Sequence, residues 1–216
     1  MIELDGPGAA PKSGKAKSLV VFLHGYGSNG DDLISLAPYW ADLLPDTEFL
    51  SPNAPFPCEE NPFGGFQWFG FRDRSPEMIL GGTRAAAAIL DAYLDVQLKA
   101  RGFDESRLAL VGFSQGTMMS LHVGPRRATA PAGIVGYSGR LIGAELLAGE
   151  MQSKPPVLLV HGTADTMVPF AALAEAEQSL RAAGIAVETL ARPGLPHSID
   201  QEGLVRGGLF LKQHLA

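Results

Sequence analysis

The strongest constraint on the fold is a series of short apolar runs that alternate with segments of helical spacing. We expect strands in chain order at 19–23, 47–51, 107–111, 132–137, 157–161 and 186–190. We expect helices at 31–44, 77–99, 115–123, 170–183 and 201–214. Runs that are apolar at every position are typical of strands buried on both faces. The alternation therefore predicts an α/β fold with a mostly parallel central sheet and helices on both faces.

The length and composition favour one domain. A chain of 216 residues is short for two domains. Its first part is rich in Gly, Pro, Lys and Ser, which are residues typical of loops. We therefore expect a loose N-terminal leader at 1–18 and a single α/β domain at 19–216.

Charge and hydropathy exclude several classes of function. The net charge is −6, so the chain lacks the basic surface that nucleic-acid binding requires. The N-terminus has no apolar signal-peptide core, and no apolar run is long enough to cross a bilayer. Cys58 is the single cysteine and cannot form an internal disulfide. We expect a cytoplasmic protein without nucleic-acid partners or stable membrane insertion, and a homodimer stays open.

A candidate nucleophile lies directly after an apolar strand. The stretch Gly112-Phe-Ser-Gln-Gly116 matches G-x-S-x-G, and helical spacing begins immediately after it. A strand-turn-helix setting is what a nucleophile elbow requires, because the turn exposes the serine hydroxyl and the helix N-terminus favours a developing negative charge. The alternative is a Gly-rich turn with an exposed serine. The context favours Ser114 as the nucleophile.

A serine nucleophile needs a base, and the base needs an acid that orients it. In this type of fold the chain order is Ser, then Asp or Glu, then His. Asp165 lies just beyond an apolar strand, and His197 lies in a loop between the last strand and the last helix. Both positions also suit ordinary loop residues. Asp200 is the alternative acid, but it lies too near His197 in the sequence to come from a separate strand end. We expect Ser114, Asp165 and His197 to meet at one edge of the sheet.

Four motifs in order resemble one known family. They are Leu-His-Gly-Tyr-Gly, Gly-Phe-Ser-Gln-Gly, His-Gly-Thr-Ala-Asp-Thr-Met-Val-Pro and Gly-Leu-Pro-His. Together they resemble the phospholipase/carboxylesterase family, which includes bacterial carboxylesterases and acyl-protein thioesterases. The resemblance runs from about residue 19 to the C-terminus. It implies the α/β-hydrolase fold and the Ser-His-Asp triad.

The resemblance also implies an oxyanion hole and a substrate wall. It assigns the oxyanion donors to the backbone N–H groups of Leu23 and Gln115. It places Met167 in the acyl groove. We also expect Tyr26 to contact the substrate. The aromatic loop 63–71 differs from the family pattern, and we expect Trp68 and its aromatic neighbours to border the groove. Core packing under a long loop explains the same aromatic residues equally well.

The expected activity is hydrolysis of short- to medium-chain acyl esters through an acyl-enzyme intermediate. An acyl thioesterase or a lysophospholipase on the same triad is the alternative, and a non-catalytic binding protein of the same fold is a third reading. We expect no cofactor and no metal, because the triad and two backbone donors supply the base, the nucleophile and the oxyanion stabilisation.

Overall fold

The computed structural model describes residues 3–61 and 64–215, and a seven-stranded sheet forms its centre. The strands of this sheet, in chain order, are β1 (Gly8–Ala9), β2 (Ser18–Leu23), β3 (Thr47–Leu50), β6 (Leu108–Phe113), β7 (Gly133–Tyr137), β8 (Val157–Gly162) and β9 (Val187–Arg192). A separate two-stranded ribbon contains β4 (Phe56–Pro57) and β5 (Phe66–Gln67). The spatial order in the large sheet is β1-β3-β2-β6-β7-β8-β9, with every pair parallel except β1 and β3.

Helices cover both faces of the sheet. They are α1 (Gly30–Ile34), α2 (Ala37–Trp40), α3 (Pro76–Arg101), α4 (Gln115–Val123), α5 (Leu147–Glu150), α6 (Ala171–Ala182) and α7 (Gln201–His214), and short 3₁₀ turns occupy Glu105–Arg107, Gly124–Arg126 and Ala144–Leu146. Alternate residues of β2 enter different apolar clusters: Leu19 and Val21 pack with α3, α4 and α6, whereas Val20 and Phe22 pack with α2 and α7. This doubly covered, mostly parallel sheet confirms the expected fold class. No helix within 3–61 and 64–215 is long and apolar enough to cross a bilayer.

Two local expectations differ from the structure. The expected helix 31–44 is split into α1 and α2, because Pro38 lacks an N–H and its ring would collide with the carbonyl four residues earlier. The expected loose leader contains β1, which pairs antiparallel with β3 at Gly8↔Leu50 and Ala9↔Phe49. Backbone pairing thus attaches part of the leader to the sheet edge despite its loop-like composition.

We expect buried His122 to make the fold sensitive to acid. His122 lies in α4 with 2% of its surface exposed, and no partner for its Nδ1 is found in the described part of the chain. Burial, with Arg126 nearby, lowers the pKa of His122 from 6.5 to about 4. The unfolded chain therefore binds a proton at a higher pH than the folded chain does.

We expect the free energy of unfolding to decrease as the pH falls from about 6.5 towards 4, since protons then favour the unfolded chain. Replacing His122 by Gln removes this titration. Between pH 7.5 and 4.5 the variant should lose up to about 2 to 3 kcal/mol less stability than the wild type. Urea unfolding at both pH values measures the difference. Equal losses in the two proteins would contradict the assignment.

Candidate active site

The turn between β6 and α4 presents Ser114. Its backbone has φ 54° and ψ −113°, a conformation that non-glycine residues rarely adopt. The flanking glycines are required by space. A Cβ at Gly112 would lie 2.3 Å from the Thr117 nitrogen, and a Cβ at Gly116 would lie 1.7 Å from the Leu23 oxygen. The strained serine is thus held between two close backbone contacts, as the motif predicts.

A side chain outside the motif's fixed positions also holds this turn. The hydroxyl of Thr117 lies 2.8 Å from the carbonyl oxygens of both Gly112 and Tyr137, and the Ser114 N–H donates to the Tyr137 oxygen at 2.9 Å. The elbow is therefore attached to β7 as well as to β6. The sequence analysis missed Thr117, because a threonine in a helix gives no signal for a contact across the sheet.

Asp165 and His197 meet beyond the carboxyl end of β8. His197 Nδ1 lies 2.7 Å from Asp165 Oδ2. The other carboxylate oxygen, Oδ1, accepts the backbone N–H groups of Met167 and Val168, each at 2.9 Å. The Asp165 side chain is fully buried, and that of His197 is 19% exposed. The two backbone N–H groups thus hold the Asp165 carboxylate in place, while the His197 imidazole stays partly exposed to solvent.

Opposing effects act on the charge of Asp165. Burial alone would raise its pKa, but the hydrogen bonds from His197, Val168 and Met167 outweigh burial and hold the pKa of the carboxyl below its ordinary value. His161 Nε2 lies 3.0 Å from the Val168 oxygen and 3.3 Å from Asp165 Oδ2. Because a carbonyl only accepts, that nitrogen carries a hydrogen and adds a further donor beside the carboxylate. The carboxylate is thus charged and oriented at neutral pH.

Ser114 and His197 line the same open cavity of about 480 Å³. Phe113 connects them, since its ring centroid lies 4.8 Å from that of His197. The other residues that line the cavity are Gly25, Tyr26, Ser28, Asp32, Glu60, Phe71, Arg74, Met118, Arg140, Met167, Val168 and Pro169. The walls as a whole are mainly apolar, which is a surface suited to an acyl chain.

The structure places Leu23 elsewhere than the oxyanion assignment required. Leu23 is the last residue of β2, has no exposed surface and does not line the cavity. Its carbonyl oxygen contacts Gly116 instead. The chain turns only after the strand ends, so the residues that border the cavity are Gly25 and Tyr26. No hydrogen bond in the described part of the chain uses the N–H of Tyr26. Tyr26 therefore replaces Leu23 as the second candidate donor.

Gln115 has the position expected of the first donor. It is the first residue of α4, where a backbone N–H has no partner inside the helix. Its side chain is fully buried and holds the aromatic loop: Oε1 accepts the Trp68 N–H at 2.8 Å, and Nε2 donates to the Phe69 oxygen at 2.7 Å. Gln115 thus connects the loop to the nucleophile turn.

Trp68 belongs to the core and does not line the cavity. It has no exposed surface, and its indole N–H donates to the His24 oxygen at 3.1 Å. The expectation that Trp68 forms the substrate wall is therefore replaced by the alternative of core packing, because the Gln115 clamp turns this part of the loop inward. Phe71 lines the cavity in its place. Phe63, at the start of the loop, lies outside the described residues.

The remaining expected substrate residues do border the cavity. Tyr26 lines it and contacts the Phe71 ring at a centroid distance of 5.0 Å. Met167 also lines it but is 74% exposed, so it lies at the rim. Within 3–61 and 64–215 no group of three His, Cys, Asp or Glu side chains could hold a metal ion. The expectation that catalysis needs no metal stays a prediction.

Comparison with known proteins identifies the family. A family model described as Phospholipase/Carboxylesterase matches residues 6–215. The chain belongs to this family. Acyl-protein thioesterase 1 of Schizosaccharomyces pombe is 31% identical over 198 residues, which are 86% of each chain. Carboxylesterase SOBER1 of Arabidopsis thaliana is 28% identical over 224 residues, with 93% of this chain and 92% of the relative covered.

A solved structure resembles this family member over almost its full length. The crystal structure of esterase PE8 superposes with a TM-score of 0.95 and 42% sequence identity, covering 99% of this chain and 100% of that chain. This family member is accordingly a hydrolase of ester bonds with the α/β-hydrolase fold.

The two tryptophans of this family member offer a matched test of the loop clamp. Trp40 and Trp68 are both buried, and each indole N–H donates to a backbone carbonyl, that of Leu204 or His24. Replacing either by Phe should cost about 1 to 3 kcal/mol of stability, because a buried hydrogen bond and packing are lost. Only Trp68→Phe should also lower kcat/KM for ester hydrolysis, by roughly tenfold. Trp68 holds the carbonyl of His24, which lies two residues before the candidate oxyanion donor Tyr26.

Urea unfolding and initial rates with p-nitrophenyl acetate and octanoate measure both effects. The loss in Trp68→Phe should be the same for both esters, because Trp68 does not touch the acyl chain. A loss of kcat/KM confined to the octanoate would indicate that Trp68 does contact the acyl chain. An equal loss in Trp40→Phe would indicate a general effect of lower stability.

Proposed function

We propose that the protein is a serine carboxylesterase for short- to medium-chain acyl esters, with Ser114 as nucleophile, His197 as base and Asp165 as the orienting acid. The observation that carries the proposal is the 2.7 Å contact between Asp165 and His197 Nδ1, with His197 on the same cavity as the strained Ser114. The three residues come from different strand ends, so a chance meeting in this geometry is improbable.

The geometry supports a defined division of roles. Because Asp165 only accepts, Nδ1 of His197 carries the hydrogen and Nε2 is free to accept a proton. Nε2 removes the hydroxyl proton as Ser114 Oγ attacks the ester carbonyl carbon. The tetrahedral intermediate collapses, and the departing alkoxide takes the proton from the imidazolium. A water molecule then repeats the sequence on the acyl-enzyme and releases the acid.

The negative charge that develops on the ester carbonyl oxygen needs hydrogen-bond donors that have no other partner before the reaction. The N–H groups of Gln115 and Tyr26 meet this need, since Gln115 begins α4 and Tyr26 follows the end of β2 at the cavity. The helix N-terminus adds positive potential at the same place. Backbone contacts at Gly112 and Gly116 hold these donors in position, so little reorganisation is needed during the reaction.

Thioester or lysophospholipid hydrolysis on the same triad is the second candidate. The 31% identity with acyl-protein thioesterase 1 of Schizosaccharomyces pombe supports thioester hydrolysis, and the family description, Phospholipase/Carboxylesterase, supports lysophospholipid hydrolysis. The carboxylesterase reading is favoured by the higher identity with esterase PE8, 42% over 99% of the chain. A cytoplasmic location and the oligomeric state stay predictions.

Replacing Ser114 by Ala should abolish covalent labelling by a fluorophosphonate probe and lower ester turnover by several orders of magnitude, as loss of a triad member does in related chemistry. Ser138 supplies the control. It is the other described non-glycine residue with positive φ, at 48°, and it does not line the cavity. Ser138→Ala should still be labelled. Mass spectrometry of the labelled peptide identifies the site.

Substantial turnover by Ser114→Ala would refute the nucleophile. Labelling of neither the wild type nor Ser138→Ala, with both proteins folded, would favour the non-catalytic reading instead.

The cavity wall leads to a prediction on acyl length. Met167 and Met78 are both exposed methionines, but only Met167 lines the cavity. Each CH₂ that an acyl chain buries contributes up to about 0.8 kcal/mol, so the preference should change only a few-fold per carbon. We expect Met167→Ala to lower kcat/KM for octanoate a few-fold more than for acetate, whereas Met78→Ala should leave the ratio unchanged.

Initial rates with p-nitrophenyl esters from C2 to C12 measure this preference. If kcat/KM depends on acyl length in Met167→Ala as it does in the wild type, Met167 does not contact the acyl chain. A wild-type maximum at C12 would contradict the short- to medium-chain assignment.

A further inference from the structure

Two arginines at the cavity lack a carboxylate partner. Most arginines of the chain form ion pairs, namely Arg72, Arg84, Arg101, Arg126, Arg127, Arg181, Arg192 and Arg206. Among the described residues, no carboxylate lies within 4 Å of Arg74, Arg107 or Arg140. Arg74 and Arg140 both line the cavity that contains Ser114 and His197. Neither positive charge is therefore paired with a described carboxylate, and both lie beside the candidate catalytic residues.

The backbone of Arg140 is fixed beside the nucleophile. Ser138, the first residue after β7, has φ 48°, and Arg140, two residues later, lines the cavity. A Cβ at the next residue, Gly139, would lie 2.4 Å from Thr117 Cβ and 3.0 Å from the Ser114 oxygen. The chain therefore passes directly against the elbow just before Arg140. The Arg140 side chain thus starts from a closely packed backbone, which lowers the entropy cost of holding a ligand.

Arg74 follows the aromatic loop 63–71 in the chain and also lines the cavity. Its Nε donates to the Phe71 oxygen at 3.2 Å, and its guanidinium carbon lies 5.9 Å from the Phe71 ring centroid. These contacts position the side chain but do not neutralise its charge. Stacking on an aromatic ring also leaves the outer N–H groups of a guanidinium available.

Arg74 and Arg140 mark the junction with a second cavity. This second cavity has a volume of about 390 Å³ and shares only these two residues with the first. Carboxylates lie on both sides of the junction, with Asp32 and Glu60 in the first cavity and three others in the second. The three in the second cavity are Glu77, Glu145 and Glu175. An anion is thus repelled from either interior and attracted to the junction.

We propose that this junction binds an anionic group of the substrate, a carboxylate or a phosphate located a few bonds from the scissile ester. A guanidinium donates two parallel hydrogen bonds to either group, which gives geometry as well as attraction. The proposal rests on the proposed esterase activity and adds the substrate class. Because the junction is exposed, the attraction is screened by salt.

The test compares esters that differ in charge. One arm uses the monomethyl and dimethyl esters of glutaric, adipic and suberic acids, in which the anion lies in the acyl part. The other arm uses 1-acetylglycerol 3-phosphate and 1-acetylglycerol, in which it lies in the alcohol part. Release of acid or methanol is followed for the wild type, Arg140→Gln and Arg74→Gln. Arg107→Gln is the control, since Arg107 also lacks a carboxylate partner among the described residues but lies before β6, away from the cavity.

We expect the ratio of kcat/KM for the anionic ester to that for its neutral partner to fall about three- to tenfold in Arg140→Gln and in Arg74→Gln. The ratio should stay at the wild-type value in Arg107→Gln. In the arm that responds, the preference of the wild type for the anionic ester over the neutral ester should weaken at 0.5 M NaCl. In the acyl arm this preference should also depend on chain length, because the length of the acyl chain sets how far the anion lies from the ester that Ser114 attacks.

Unchanged ratios in both arms would overturn the proposal, and so would an equal fall in Arg107→Gln. A response in one arm supports the proposal and tells whether the anion belongs to the acid or to the alcohol. Failure of the folded wild type to hydrolyse any neutral ester would instead refute the proposed esterase function, so the two failures are distinguishable.

Discussion

The close contact between Gly116 and the Leu23 carbonyl determines much of the site. A Cβ at Gly116 would lie 1.7 Å from that oxygen, so α4 begins directly against the end of β2. This contact brings the first N–H groups of α4 and the loop after β2 to the same point. The candidate oxyanion donors thus depend on close backbone packing beside Ser114, which itself has a positive φ of 54°.

A second layer of polar contacts holds the surrounding loops to this centre. Gln115 clamps the aromatic loop through both ends of its amide, and the Trp68 indole reaches the His24 carbonyl. His24 in turn accepts the Ala54 N–H through Nε2 at 2.9 Å. Burial lowers the pKa of His24, so this acceptor stays neutral at physiological pH. The result is a rigid floor beneath a cavity whose rim, at Met167 and Arg140, stays exposed.

Expectations from the sequence held where a local pattern had one physical meaning. The apolar runs specified buried parallel strands, and the spacing of Gly around Ser114 specified a tight strand-to-helix turn. They did not hold where a residue type had two uses. Trp68 was assigned to the substrate wall, yet it has no exposed surface. An aromatic loop residue is equally suited to a core or a substrate wall, and only its neighbours decide which it becomes.

The sequence by itself determined the fold class, the family motifs and the identity of the three candidate triad residues, because strand periodicity and the elbow motif depend on near neighbours in the chain. The tertiary structure decided which backbone N–H groups face the cavity, which aromatic side chains line it and which arginines lack a carboxylate partner. These properties depend on contacts between distant segments, such as the 2.8 Å bond from Trp68 to Gln115. Hydrogen bonding and burial act through space, so residues far apart in the chain settled the details that composition and spacing left open.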